Sequence, residues 1–134
     1  MNTERDWDFL KSISYLYVAF AGETDGELTE DEVHVIQRCI REWVPDATEE
    51  ELVTGWQTAC QWIAEDHKGN GDGKKVTMTM ANIAALAKDI MDPKQRVALL
   101  QDLVRISVAD SNFDEKEKEW VRFLAELMEV EFKV

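Results

Sequence analysis

Four carboxylates stand in two matching pairs, Asp25 with Glu32 and Asp110 with Glu117. Each Asp lies between two helical apolar patterns, and each Glu falls in the first turn of the helix that follows. The two pairs sit 85 residues apart in the chain (25 to 110). Hard divalent cations take several oxygen ligands at about 2.0–2.6 Å, drawn from carboxylates and backbone carbonyls. A tight turn carrying an Asp, running into a helix start carrying a Glu, can supply both. The chemistry to which these residue types point is coordination of a hard divalent cation. Glu23 and Glu27 add carboxylates around the first turn only.

The same residues have a second use that needs no ligand. Glu32 follows Thr29 by three places and Glu117 follows Asp114 by three, the capping-box spacing in which the Glu bonds a backbone N–H. There it also favours the positive end of the helix dipole. Asp25 and Asp110 can close the preceding helices by side-chain-to-backbone bonds. From the residues alone, coordination and capping both stand.

Neither turn is an EF-hand. Setting Gly26 at the obligatory glycine puts Ala21 where the first ligand Asp belongs and Glu23 at the third position. In the second copy those positions are Ile106 and Val108, and Ser111 replaces the glycine. The stretch His67-Lys68-Gly69-Asn70-Gly71-Asp72-Gly73 offers Asp66, Asn70 and Asp72 as oxygen donors. No Glu closes it, and Lys68, Lys74 and Lys75 crowd it, so it reads as a connecting loop. No strand precedes it and the Walker spacing is missing, so it is no phosphate loop. His34, His67, Cys39 and Cys60 have no zinc spacing. No Ser-His-Asp set or glycine fingerprint is visible, and an enzyme is not expected.

Charge bounds the partners. The chain carries 28 acidic and 15 basic side chains, net −13. Residues 23–51 hold eleven acidic side chains and two basic ones, and residues 110–134 hold eight and four. Such a surface repels phosphate backbones, which excludes nucleic-acid binding through a basic footprint. Cations or a basic protein surface are the favoured partners. No apolar run nears the roughly 20 residues of a membrane span, and no signal-peptide core opens the chain. Reduced, buried cysteines and a cytoplasmic location are expected.

The elements that must position the acidic turns are all helical. A chain of 134 residues with 45% hydrophobic residues suits a single domain, 1–134. The first helix is predicted over Glu4–Ala21, with Trp7, Leu10, Ile13, Tyr17 and Phe20 on one stripe and Gly22 and Gly26 breaking it. Thr29 caps the second, which ends near Val44 before Pro45. Thr48 and Glu51 open the third, which runs to about Asp66. The fourth follows Thr77 or Thr79 and includes Ile83, Leu86, Ala87 and Ile90. Asp92-Pro93 starts the fifth, with Val97, Leu100, Val104 and Val108. The sixth follows Asp114 and runs to about Glu129. Tryptophans 7, 43, 56, 62 and 120 are expected in the core. The outcome is an all-α array of about six helices. Its hairpins 4–44 and 93–129 are repeat-related and pack around a pseudo-twofold.

With these residues in place, Ala21-Gly22-Glu23-Thr24-Asp25-Gly26-Glu27-Leu28-Thr29-Glu30-Asp31-Glu32 and Ser107-Val108-Ala109-Asp110-Ser111-Asn112-Phe113-Asp114-Glu115-Lys116-Glu117 share a phrase. It runs: small residue, Asp, Gly (Ser111 in the second copy), polar residue, apolar residue, cap, and Glu after two more. The doubled phrase resembles the TerB-like family, the tellurite-resistance helical domain, related to the N-terminal region of DjlA-type co-chaperones. The resemblance implies a compact helical domain without catalytic activity, linked to tellurite and other chemical stress. It implies divalent-metal binding, calcium in particular, at Asp25, Glu32, Asp110 and Glu117, and work with membrane-associated protein partners without membrane insertion. The alternative is a metal-independent, co-chaperone-like interaction module whose acidic face docks a basic partner. Shared fold does not by itself decide between them.

Overall fold

Helix starts are the most local part of this fold, and four of them are spelled out in side chains. Thr29, Thr48, Asp92 and Asp114 each accept a hydrogen bond from the backbone N–H three residues on, at 2.8–3.1 Å. In return Glu32, Glu51, Gln95 and Glu117 accept from the four cap N–H groups at 2.9–3.1 Å. Each reciprocal pair satisfies two donors that the first helical turn leaves over.

A computed structural model describes residues 5–25, 28–70, 73–109 and 113–134. It contains helices α1 (Phe9–Asp25), α2 (Glu30–Trp43), α3 (Glu49–Asn70), α4 (Lys74–Ile90), α5 (Pro93–Val108) and α6 (Glu115–Leu127), and no strand among the described residues. The all-α expectation holds, with three shifts of boundary. α1 begins at Phe9 rather than Glu4, because Asp8 caps it by accepting from the Lys11 N–H at 2.8 Å. It also continues through Gly22. α3 runs four residues past Asp66, so His67–Asn70, read as loop, is helical. α4 begins at Lys74, ahead of both threonines. Gly73 turns the chain there in the left-handed region at φ 76°, open to glycine without a side-chain penalty. Thr79 lies inside α4 and donates to the Lys75 carbonyl at 2.9 Å.

The largest departure concerns α1. The pattern predicted one apolar stripe, yet every residue from Ile13 to Ala21 is buried. A helix apolar all round belongs in an interior, and α1 packs against each of the other five helices. α3 lies along it so closely that a Cβ placed on Gly55 would stand 2.8 Å from Leu10 Cγ. The other core side chains come from one face of each surrounding helix: Ile36 and Cys39 of α2, Val76 and Met80 of α4, Leu100 and Leu103 of α5, Val121 and Leu124 of α6. Leu86, Ile90 and Val108, expected inside, are exposed. Trp62 is buried, whereas Trp7, Trp43, Trp56 and Trp120 are partly buried against the core.

The two hairpins meet as the repeat requires. α2 packs on α5 and α6 packs on α1, the two contacts that exchange when the copies are swapped. Where α1 meets α5, the Tyr17 hydroxyl donates to Asp102 at 2.6 Å across 85 residues.

Candidate functional site

The acidic corners form where α1 hands over to α2 and where α5 hands over to α6. Glu32 enters from α2 with no solvent exposure. Its Oε1 accepts from the Thr29 backbone N–H at 3.0 Å and from the Thr29 hydroxyl at 3.0 Å. Its Oε2 is equally buried and has no hydrogen-bond partner among the described residues. A buried polar atom left in that state costs on the order of 1–3 kcal/mol.

Glu117 occupies the matching place at the start of α6, also fully buried, and its Oε1 accepts from the Asp114 N–H at 3.1 Å. The capping reading of both glutamates is therefore realised. Asp25 is the last residue of α1; its side chain, Glu27 and Asp110 lie outside the described residues. Among the described residues no group of three His, Cys, Asp or Glu side chains is placed to hold a metal ion. Glu23, the remaining first-turn acid, accepts from His67 Nε2 at 2.9 Å and ties the last turn of α1 to that of α3.

Two further carboxylates are buried. Asp66, offered by the sequence as a loop donor, instead faces inward at 2% exposure. The Arg5 guanidinium forks onto it at 2.8 and 3.1 Å, and the Tyr15 hydroxyl donates at 2.5 Å. Burial pushes the Asp66 carboxyl up, but Arg5 and Tyr15 more than offset it and hold the group below its ordinary range. Arg5 also lies over the Trp62 ring at 5.3 Å, and Trp7 packs against the same ring at 4.6 Å. The segment before α1 is thereby fastened across α3.

Asp102 is the second. It accepts from Tyr17 at 2.6 Å, from Trp43 Nε1 at 2.8 Å and from Arg105 at 3.3 Å, while Arg105 also reaches Glu42 at 3.0 Å. Burial, reinforced by the Asp102 charge, pushes the Tyr17 hydroxyl well above its usual range and keeps it a donor. Both carboxylates are saturated by partners from distant elements, an arrangement suited to bracing helices rather than to proton transfer. Nothing local marks either role, since the partners lie 51 to 85 residues away in most cases.

No described helix is long and apolar enough to cross a membrane. A family model described as tellurite resistance protein TerB matches residues 15–133. No protein with a curated description and no solved structure matches the chain.

Proposed function

The chain belongs to the TerB family, and from that premise we propose a non-enzymatic, metal-responsive adaptor of tellurite-resistance-type stress response. In this reading its acidic corners coordinate a divalent cation, calcium first, through Asp25, Glu32, Asp110 and Glu117. The observation that carries it is the Glu32 carboxylate. One oxygen serves the cap and the other is buried without a partner among the described residues. A hard cation is the kind of ligand that such an oxygen fits. The protein works in the cytoplasm with a protein partner, membrane-associated in the tellurite-type setting, and is not itself inserted in the bilayer.

The test is calorimetry with calcium, magnesium and manganese on the wild type and on Glu32→Gln, Asp25→Asn and Asp110→Asn. Micromolar to millimolar binding, weakened at least tenfold in Glu32→Gln, is expected. No heat at millimolar ion removes the mechanism.

A second reading rests on the capping bonds themselves, which employ Glu32 and Glu117 without any ion. It makes the protein a metal-independent, co-chaperone-like module whose acidic face docks a basic partner. Binding of that partner then falls with added salt and ignores chelator.

A further inference from the structure

We propose that the groove between α2 and α3 binds a small amphipathic monoanion, an organic carboxylate with an apolar body. The groove is open to solvent along one side and has a volume of about 530 Å³, within the range of about 300–1,000 Å³ typical of small-molecule sites. Its apolar wall is Ile40, Leu52, Val53 and Trp56, and its charged lining includes Arg38 and Arg41. These two arginines are the only basic residues in the stretch 23–51, which carries eleven acidic ones. Both of them line this one concavity.

Their pairing differs. Arg41 is held by Glu49 from across the groove. Arg38 is exposed and makes no ion pair among the described residues. Its helical neighbours explain why. One turn back is His34, three residues on is Arg41, and four residues on is Glu42, which feels the Arg38 charge but accepts its hydrogen bonds from Arg105. A guanidinium is a bidentate donor shaped for a carboxylate, and here it stands beside apolar surface that the fold leaves open. Val53 is 51% exposed.

The class of ligand follows from both halves of the site. An uncharged apolar molecule leaves the guanidinium unused. The net charge of −13 repels every anion in proportion to its charge, so a polyanion is disfavoured most and a single charge least. A single negative charge on an apolar body meets Arg38 and covers Val53, Leu52 and Trp56. This site shares no residue with the acidic corners and needs no metal, so it stands or falls separately from the adaptor reading.

The experiment is a fluorescence titration with 8-anilinonaphthalene-1-sulfonate in the presence of chelator, followed by displacement with decanoate and with decanol. Decanoate is expected to displace the dye at least tenfold more effectively than decanol. Arg38→Gln, an exposed position, weakens decanoate about tenfold and leaves decanol unchanged. Val53→Glu abolishes displacement, whereas Ile90→Glu, on the far apolar cleft beside α1 and α4, has no effect. Circular dichroism confirms that each variant is folded. The proposal is overturned if decanol competes as well as decanoate, if Arg38→Gln and Val53→Glu both bind like wild type, or if Ile90→Glu alone removes the site.

Discussion

Tyr17 donates its hydroxyl to Asp102 at 2.6 Å, and the two residues occupy the same position in the two copies of the repeat. Each lies eight residues before the Asp of its acidic turn (17 to 25, 102 to 110). A residue that touches its own repeat-mate sits at the local symmetry element relating the copies. Two aspartates there repel at close range, and two tyrosines crowd. Divergence to a donor in one copy and an acceptor in the other is what lets α1 and α5 meet through a satisfied polar contact. Trp43 completes the arrangement, and its counterpart in the second copy is the buried, non-donating Met128.

Replacing Asp102 by Ala strands the Tyr17 hydroxyl proton in the interior and leaves the Trp43 N–H only the Tyr17 oxygen, 2.9 Å away, as acceptor. The expected loss is about 2–4 kcal/mol of unfolding free energy, read by urea denaturation. Tyr17→Phe removes one donor and leaves the carboxylate its other partners, so its cost is smaller, about 1 kcal/mol. Equal midpoints for wild type and Asp102→Ala refute a bracing role.

The Arg5–Asp66 pair makes stability depend on acid. Asp66 is held below its ordinary value of 3.8 in the folded chain. A depressed carboxyl contributes stability above the unfolded-state value, and that contribution fades as pH falls through the folded one. The gap in urea midpoint between wild type and Arg5→Gln is therefore expected to be widest near neutrality and to narrow below about pH 4. A gap that stays constant from pH 7 to pH 3 contradicts the linkage.

The two thiols differ in access. Burial, helped by the nearby Asp102 charge, pushes Cys39 up to about 12, while burial alone raises the half-buried Cys60. Thiolate is the reactive form. With a disulfide reagent at pH 8, native protein is expected to label slowly at Cys60, and at Cys39 only at the rate of global unfolding. Peptide mapping of the labelled sites decides; fast labelling at Cys39 contradicts the packing of α2.

Gly55 sets how near α3 approaches α1. Ala there gains helix propensity of about 1 kcal/mol but drives a methyl into Leu10. The overpacking cost of about 1–3 kcal/mol outweighs it. Gly55→Ala is expected to lower the thermal midpoint, and the double variant Gly55→Ala, Leu10→Ala to restore part of the loss. A rise in midpoint for Gly55→Ala contradicts the contact.

Much of this fold can be read without coordinates because its signals are local. Thr29 with Glu32, Thr48 with Glu51 and Asp114 with Glu117 declare helix starts within four residues, and all three form as reciprocal caps. What resists reading is set by distant partners. Gly69 and Asn70 look like loop, yet α3 persists through them beside the Glu23–His67 contact. Tyr15, off the predicted stripe, carries a hydroxyl that suits a surface, and only Asp66 makes its burial tolerable; Tyr17 lies on the stripe, but its partner Asp102 is 85 residues away. At the candidate site, Glu32 and Glu117 are placed by their caps, as spacing foretold. Asp25's carboxylate and Asp110 lie outside the described residues.

The central placement of α1 has a bearing on how the molecule breathes. A shaft gripped by five neighbours cannot peel away alone, so its amides from Tyr15 to Ala21 exchange with deuterium only when the whole assembly opens. The shaft's last turn is also the threshold of the first acidic corner. A ligand that holds that corner in the folded state is therefore expected to slow exchange along the shaft in proportion to its binding energy.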